Sequence, residues 1–319
     1  MAIVITGAAG FIGSCMVSFL NEKGRKDLIL VDDFNKREKS ANLEQQDFEA
    51  KIDRDIFLQD MNRHDIEFIF HLGARTDTTE FDEKIFDKLN LKYSQAIWNH
   101  CVQKDIPLLY ASSAATYGDG DQGFDDTKSI MNLQPLNPYG QSKQDFDIWV
   151  LQQENTPPFW AGLKFFNVFG PNEYHKGRMA SVVFHAFNQI KKNGSLKLFQ
   201  SHRSDYGHGE QIRDFIYVKD LLNLMWYWFS QQVSSGIYNA GTGKARTFND
   251  LARAIYQAMG LEPNITYIPT PEDIRDKYQY YTEAAMKKTL DSGCPFEFAE
   301  LEDAVADYVQ NYLAEEKIY

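Results

Sequence analysis

The 319-residue sequence predicts an α/β fold, namely a doubly wound parallel sheet with a smaller C-terminal α/β lobe. Short apolar runs rich in β-branched residues alternate with stretches of helical spacing, and a glycine-rich turn joins the first strand to the first helix. The alternation loosens after residue 167. We therefore expect one domain over residues 1–167 and mainly a second lobe over 168–319, with some later segments returning to the first domain.

The elements follow in order along the chain. A strand at Ala2–Thr6, a helix at 11–23 ended by Gly24, and a strand at 28–31 form one βαβ unit. Further buried strands are predicted at 68–71, 107–111 and 160–166, with helices at 84–103 and 141–153. Beyond them the pattern predicts helices at 181–192, 220–230, 249–259 and 299–313, and loops at 170–177 and 201–211.

Composition excludes several classes of protein. The net charge of −12 argues against a nucleic-acid partner, because phosphate-backbone binders usually carry a basic excess. The three cysteines form no CxxC pair and no histidine–carboxylate spacing resembles a zinc motif, so we expect neither a disulfide framework nor a metal site. We expect no membrane span and no signal peptide, hence a cytoplasmic protein.

The first turn reads GxxGxxG, with glycines at Gly7, Gly10 and Gly13. Gly7 permits the tight turn, Gly10 lets the backbone approach a pyrophosphate, and Gly13 allows close packing of helix on strand. The N-terminus of the following helix supplies N–H donors and partial positive charge. Within a complete βαβ unit, this motif predicts a Rossmann domain that binds an adenine dinucleotide.

Asp32 ends the second predicted strand, where a carboxylate normally binds the ribose hydroxyls of such a cofactor. Asp33 would repel a 2′-phosphate and so favours NAD. Lys36, Arg37 and Lys39 follow at once and would neutralise that phosphate, unless they form only a solvated basic loop. The residues alone leave NAD and NADP open.

A YxxxK motif follows Pro138 at a helix start, with Tyr139 and Lys143 on one helical face. A nearby ammonium favours the phenolate and so suits the tyrosine to general base catalysis. Ser113 follows a predicted buried strand and is placed to bind the reacting oxygen. Alone, YxxxK is usually a solvated helix face; after a glycine loop in this order, it predicts a catalytic group.

These motifs resemble the extended short-chain dehydrogenase/reductase superfamily, especially its nucleotide-sugar branch, over nearly the whole chain. The resemblance implies that Tyr139 is the acid/base, that Lys143 holds the nicotinamide ribose, and that Ser113 polarises the reacting oxygen. Segments 71–74, 110–118, 166–173 and 213–220 narrow the resemblance to the ADP-heptose 6-epimerase family. The segment that discriminates among sugar epimerases is HKGRMAS at 175–181.

In that family the carbinol is oxidised to a ketone and the hydride returns to the opposite face, so the cofactor is regenerated. The resemblance implies that Tyr139 serves one face of the heptose C6″ and Lys176 the other. Spacing alone favours a solvated or pyrophosphate-binding lysine at Lys176, and the resemblance reverses that preference. The resemblance also implies NADP rather than NAD, an ADP-sugar substrate, and a homo-oligomer, a pentamer.

Further positions are carried over from the family by their place in its motifs. The predicted cofactor contacts are Gly7, Gly10, Phe11, Ile12, Gly13, Asp32, Asp33, Lys39, Arg54, Leu72, Gly73, Ala74, Asn90, Lys143, Val168 and Lys176. The predicted substrate contacts are Asn167, Arg178, His185, Phe199, Gln200, Ser201, Arg213 and Tyr278. Arg213 suits a pyrophosphate because its guanidinium binds two oxygens at once; a surface ion pair is its alternative role. By residue type alone, His185 on an apolar helix is typical of a core histidine.

Three rival functions differ from this one in their chemistry. A dehydratase would need an acid/base pair beside Ser113, and the run Ser113-Ala114-Ala115 lacks one. A net reductase of the same superfamily would consume its cofactor. A non-catalytic dinucleotide sensor would be expected to lose Tyr139 or Lys143, and both are present.

Overall fold

The computed structural model describes residues 1–275, 278–295 and 297–319. Its strands are β1 (Ala2–Thr6), β2 (Leu28–Asp32), β3 (Ala50–Asp53), β4 (Ile66–His71), β5 (Leu108–Ser113), β6 (Trp160–Phe165), β7 (Asn167–Phe169), β8 (Leu196–Phe199), β9 (Ile212–Arg213), β10 (Phe215–Tyr217), β11 (Gly236–Ala240), β12 (Arg246–Thr247) and β13 (Ile265–Ile268). Its α-helices are α1 (Phe11–Glu22), α2 (Arg54–Asp60), α3 (Glu83–Phe86), α4 (Tyr93–Lys104), α5 (Pro138–Leu151), α6 (Val182–Asn193), α7 (Val218–Gln231), α8 (Phe248–Ala258), α9 (Glu272–Arg275), α10 (Lys287–Asp291) and α11 (Leu301–Tyr308).

Seven parallel strands form the central sheet in the order β11-β6-β5-β4-β1-β2-β3. From β1 the chain winds outward in one direction through β2 to β3, and from β4 it winds in the other direction. The change of direction between β1 and β4 opens a crevice beyond their carboxyl ends, where ligands of doubly wound sheets bind. The predicted α/β class is thus confirmed.

Two hydrophobic cores cover the two faces of this sheet. Ile3 and Ile5 of β1 point into one core with α1 and α7, whereas Val4 points into the other with α4 and α5. The alternation follows from the two-residue period of a strand. Because both faces are covered, β1 and β2 are buried along their whole length, as their continuous apolar runs predicted.

The predicted helix at 84–103 was wrong as one continuous element. The structure has α3, then a π-helical turn at Asp87–Lys92, then α4. The π turn carries the buried Asn90, whose role in the cleft is described below. The predicted strands at the start of the chain agree with β1, β2 and β4 to within two residues.

Beyond β6 the chain forms three two-stranded pairs, β7 with β10, β8 with β13, and β9 with β12. β11 lies at the edge of the central sheet beside β6, so this part of the chain returns to the first domain. Sequence analysis did not predict β3 or β11. No helix in the described ranges is long and apolar enough to cross a membrane.

Candidate active site

The glycine turn brings three backbone segments into close contact. Gly7 has φ of +70°, and a Cβ added to it would lie 2.6 Å from Cα of Gly73. A Cβ on Gly13 would lie 2.1 Å from the Gly7 carbonyl oxygen. Gly10 precedes α1 as its N-cap, and no side chain caps the helix there. The first N–H groups of α1 are therefore left without a side-chain cap at the cleft, as the motif predicted.

Asp32 organises the end of β2 that faces this turn. Its carboxylate accepts hydrogen bonds from the backbone N–H of Ala9 at 2.9 Å and of Asp33 at 2.7 Å, and from Nζ of Lys39 at 3.1 Å. Asp33 in turn lies 3.8 Å from the guanidinium of Arg54. Each acidic residue is thus paired with a cation, so the negative charge that would repel a further phosphate is partly neutralised.

A cleft of about 650 Å³ lies at this edge of the sheet. Its walls contain many of the predicted cofactor contacts, namely Gly7, Gly10, Phe11, Ile12, Gly13, Asp32, Lys39, Arg54, Leu72, Gly73, Ala74 and Lys176. Two of its cationic side chains, Arg54 and Arg75, have a buried Nε without a hydrogen-bond partner among the described residues. Buried donors of this kind are normally satisfied, so the cleft fits an anionic dinucleotide.

The predicted catalytic pair lies on α5. Asn137 caps this helix by accepting from the N–H of Gly140, and Pro138 occupies its first turn, so the helix begins immediately before Tyr139. Lys143, one turn later, is buried and donates from Nζ to the Ala111 carbonyl at 2.7 Å. Burial lowers the pKa of Lys143 to about 8, and the carboxylate of Asp147 opposes that shift.

Burial raises the pKa of the half-buried Tyr139, and a hydrogen bond with the Ser113 side chain opposes the rise. Ser113 ends β5 and also accepts from the N–H of Ala115 at 3.1 Å. Ser113 and Tyr139 are therefore neighbours in the structure, and the catalytic role of each stays a prediction. In the chain alone the phenol is neutral, so proton abstraction by Tyr139 requires additional positive charge beside it.

Asn90 holds the wall of the cleft from behind. Its side chain accepts from the N–H of Arg75 at 2.7 Å and donates to the carbonyl of Arg75 at 2.9 Å. The segment after β4, with Leu72, Gly73 and Ala74, is thereby fixed against the π turn. Asn90 was predicted as a cofactor contact, and in this structure its polar atoms are engaged with protein groups.

Lys176 lies in a 3₁₀ turn at Tyr174–Met179, with Nζ 5.1 Å from the centre of the Phe11 ring. Burial lowers the pKa of Lys176, and Glu173 opposes that shift. Val168 lies in β7, paired with Ile216 of β10. Asn167, its neighbour, donates to the Asp214 carbonyl at 3.0 Å and to the Thr282 hydroxyl at 3.2 Å.

Several predicted substrate contacts meet in a second group around Arg213. The guanidinium of this buried residue lies 5.6 Å from the rings of both Phe248 and Tyr278. It donates to the backbone carbonyls of Ile212 and Gln279, and Phe199 meets the Tyr278 ring edge-on at 6.1 Å. No carboxylate among the described residues forms an ion pair with Arg213. Burial lowers the pKa of Arg213, because the charged guanidinium is removed from water. An anion bound at this position would compensate for that cost.

The loop at 201–211 continues this group. The backbone N–H of Gln200 donates to the Ile268 carbonyl of β13 at 2.7 Å. Ser201 donates from its N–H to Nδ1 of His208 at 3.1 Å, inside the loop itself. Both predicted substrate contacts are thus held by backbone bonds that shape the loop.

Arg178 and His185 form a separate group. Arg178 is exposed and binds Asp77 and Thr79, which follow β4 on the other side of the cleft. His185 is also exposed, and its Nε2 lies 3.4 Å from the Arg178 carbonyl. The interpretation of His185 as a core histidine, based on residue type, was therefore wrong. In this structure neither side chain is joined to the Arg213 group by a hydrogen bond or ion pair.

The sequence analysis missed functional candidates that only the fold brings together. Arg75 and His175 line the cleft, and Asp147 and Lys164 form a fully buried ion pair of 2.7 Å beneath α5. Asp147 lies one turn after Lys143, so its helical position was visible in the sequence. Lys164 lies on β6, and its pairing with Asp147 could not be read from spacing.

This chain is similar in sequence to known enzymes along nearly its whole length. Residues 3–241 match the model of the NAD dependent epimerase/dehydratase family. A protein of Fusobacterium nucleatum named ADP-L-glycero-D-manno-heptose-6-epimerase is 46% identical over 99% of this chain and 99% of its own length. A protein of the same name from Nitratidesulfovibrio vulgaris (strain DP4) is 48% identical over 98% of both chains.

Solved structures agree in fold. The crystal structure of the Helicobacter pylori ADP-L-glycero-D-manno-heptose-6-epimerase superposes with a TM-score of 0.80 at 27% identity, covering 98% of this chain and 96% of that one. The Thermotoga maritima UDP-glucose 4-epimerase, solved with UDP-glucose, has a TM-score of 0.81 at 22% identity, covering 99% and 100%. At that lower identity the likeness concerns the fold alone.

Proposed function

The chain belongs to the NAD dependent epimerase/dehydratase family, and within it to the ADP-L-glycero-D-manno-heptose-6-epimerases, and on this premise we propose that it inverts C6″ of an ADP-heptose. The reaction interconverts ADP-D-glycero-β-D-manno-heptose and ADP-L-glycero-β-D-manno-heptose, for the heptose of the lipopolysaccharide core. The observation that carries the proposal is identity of 46–48% to enzymes of this name over nearly the full chain.

The geometry supports this chemistry through two proton-transfer groups on different elements. Tyr139 lies on α5 beside Ser113, and Lys176 lies in the 174–179 turn against Phe11. Inversion without reorienting the ketone needs an acid/base for each face of the carbon. We propose that Tyr139 serves one face and Lys176 the other, with Ser113 binding the reacting oxygen.

A nicotinamide cofactor supplies a reversible hydride acceptor when bound. The residues that would hold it are those that line the cleft. We propose that Lys143, whose Nζ donates to the Ala111 carbonyl, binds the nicotinamide ribose. We propose NADP as the preferred form, because Lys39 and Arg54 neutralise Asp32 and Asp33 at the ribose end. NAD is then the weaker ligand.

We propose that the Arg213 group holds the diphosphate of the ADP-sugar. Arg213 is buried between two aromatic rings without a carboxylate partner in the described ranges, and a diphosphate would supply the missing charge. Tyr278 lies against Arg213 and Phe199 against Tyr278. We propose that Gln200, Ser201 and Asn167 complete the site. Arg178 and His185 would join it only if the contact of Arg178 with Asp77 opens.

The test follows ADP-D-glycero-β-D-manno-heptose by proton NMR with purified protein and no added cofactor. The L-glycero epimer is expected to accumulate until the two epimers reach equilibrium. If dinucleotide is bound and the spectrum does not change, the heptose assignment is wrong. We also propose that the protein is a pentamer, which light scattering would test. We propose that it acts in the cytoplasm, which fractionation of cells would test.

A further inference from the structure

Glu173 carries a carboxylate that is completely buried between three elements. Oε2 accepts from the N–H of Ser181 at 2.5 Å, and Oε1 accepts from the hydroxyls of Ser181 at 2.6 Å and Tyr308 at 2.9 Å. A backbone N–H can only donate, and the Ser181 oxygen already accepts from the N–H of Phe184 at 3.2 Å. All three partners therefore donate to Glu173, which is the arrangement that an ionised carboxylate requires.

The same residue closes both ends of the segment that carries Lys176. At one end the carbonyl of Glu173 accepts from the N–H of Lys176 at 3.0 Å. At the other end its carboxylate binds Ser181, the N-cap of α6. Between them the chain reverses at Gly177, whose φ is +52°. A single residue thus holds both ends of the 174–180 segment, one through its backbone carbonyl and the other through its carboxylate.

The charge of Glu173 acts on Lys176 directly. Burial lowers the pKa of Lys176, and the Glu173 carboxylate raises it. Burial raises the pKa of Glu173, while the hydrogen bonds from Ser181, the charge of Lys176 and the hydrogen bond from Tyr308 oppose that rise. Charged groups also lie near this pair: Lys39, Asp32 and Glu38 act on His175, and Lys219 acts on Cys15. Cys15, Tyr308, Tyr174 and His175 themselves are neutral near pH 7. Burial raises the pKa of Cys15, Tyr308 and Tyr174, the last to about 12, and burial lowers that of His175 to about 4.

We propose that Glu173 is a positioning residue that holds Lys176 in place at the cleft and supplies the negative charge that keeps its amine protonated between turnovers. The inference rests on the proposed function in one respect, that Lys176 exchanges a proton with the substrate. Burial alone would leave a lysine poorly able to hold a proton in this setting. Glu173 reaches neither the cofactor cleft nor the reacting atoms by any contact described above, so it acts through Lys176.

The test measures the proton affinity of Lys176 without turnover. Trace acetic anhydride labels deprotonated amines, and mass spectrometry of the Lys176 peptide across pH gives the midpoint of its titration. Glu173→Gln keeps the side-chain shape and removes the charge. We expect its midpoint to fall by roughly one pH unit relative to the wild type, the low end of the effect of a nearby opposite charge.

Tyr308→Phe is the matched control, because it removes one of the three donors to Glu173 and keeps the charge. Its midpoint should stay within about 0.3 pH unit of the wild type. If Glu173→Gln does not fold, Glu173→Asp keeps the charge at a different distance and should lower the midpoint by less. An unchanged midpoint in the Glu173 variant, or an equal fall in Tyr308→Phe, would overturn the proposal.

The pH dependence of epimerisation is a second readout. The limb of the rate profile that belongs to Lys176 should move to lower pH in Glu173→Gln and stay in place in Tyr308→Phe. If the wild type binds dinucleotide but does not epimerise ADP-heptose, the proposed function fails. The labelling midpoints would still decide whether Glu173 controls Lys176.

Discussion

The side-chain amide of Asn90 donates a hydrogen bond of 2.9 Å to the hydroxyl of Ser142. Ser142 donates in turn to the Tyr139 carbonyl at 2.7 Å, and the other polar contacts of Asn90 hold both backbone groups of Arg75. One buried amide therefore connects the wall of the cofactor cleft with the first turn of α5. The position of Tyr139 relative to the cleft depends on this connection.

Asn90→Leu should loosen that connection. It leaves the N–H and carbonyl of Arg75 without their partner, and an unsatisfied buried group costs about 1–3 kcal/mol. We expect the free energy of unfolding in urea to fall by about 2–3 kcal/mol and the dissociation constant of NADP to rise. The control Asn188→Leu changes an exposed residue of α6 and should cost less than about 0.5 kcal/mol. Equal effects of the two substitutions would contradict the role of Asn90.

Tyr139→Phe and Lys176→Met should separate the two faces of the reaction. Each variant loses one of the two proposed proton-transfer groups, so we expect epimerisation to fall by roughly 10²–10⁴-fold in both. Each should still oxidise the epimer that its remaining group serves, which appears as partial reduction of the bound nicotinamide in its absorbance spectrum.

The matched controls are Tyr281→Phe and Lys197→Met, which replace an exposed tyrosine and an exposed lysine. Both should keep wild-type rates. If Lys176→Met epimerises at the wild-type rate, one group serves both faces. The ketone would then have to turn over within the site.

Lys39→Ala should change the choice between the two dinucleotides. Nζ of Lys39 lies 3.1 Å from Asp32, and under the proposed preference for NADP its ammonium would bind the 2′-phosphate. A charge-assisted hydrogen bond contributes about 1.5–3 kcal/mol, so the dissociation constant of NADP should rise by roughly tenfold or more. The value for NAD should change by less than about threefold, as measured by calorimetry. Equal weakening of both would mean that Lys39 acts on the turn and not on the phosphate.

The sheet and its cofactor edge could be predicted because they depend on local pattern. Gly7, Gly10 and Gly13 are needed wherever a strand, a turn and a helix pack this closely, and the clash distances at Gly7 and Gly13 show that requirement. The apolar run of β1 is continuous because both faces of the sheet are covered. The glycine spacing and the apolar run can each be read from neighbouring positions, even though Gly7 also packs against the distant Gly73.

The remaining features depend on contacts between distant residues. The π turn at Asp87–Lys92 places Asn90 against Arg75 and Ser142, and no helical periodicity encodes that displacement. β11 returns to the sheet because it pairs with β6, far earlier in the chain. Glu173 was part of a recognised segment, but its partner Tyr308 comes from the last α-helix, so its burial could not be foreseen.

His71 gives the fold a dependence on pH that can be measured apart from catalysis. It is buried at the end of β4, with Nδ1 2.7 Å from the Thr6 hydroxyl and Nε2 2.8 Å from the Ser94 hydroxyl. Burial, and then the charge of Lys143, lowers the pKa of His71 from 6.5 to about 3. Between these two values the unfolded chain binds a proton that the folded chain does not bind. Stability due to this group is therefore present above about pH 6.5 and is lost as pH falls toward 3.

Unfolding by urea at several pH values tests this dependence. For a single group, a change of one pH unit alters the free energy of unfolding by at most about 1.36 kcal/mol. From pH 6.5 to 5 we expect His71 to lower the free energy of unfolding by about 1.5 kcal/mol. His71→Gln should be less stable at neutral pH, yet should lack that part of the loss. Thr6→Val removes one hydrogen-bond partner of His71 and keeps the imidazole. Its free energy of unfolding should therefore lie below that of the wild type by a similar amount at every pH. If His71→Gln keeps the full wild-type dependence, the acid sensitivity arises from other groups, of which His175 has the next strongest depression among the described histidines.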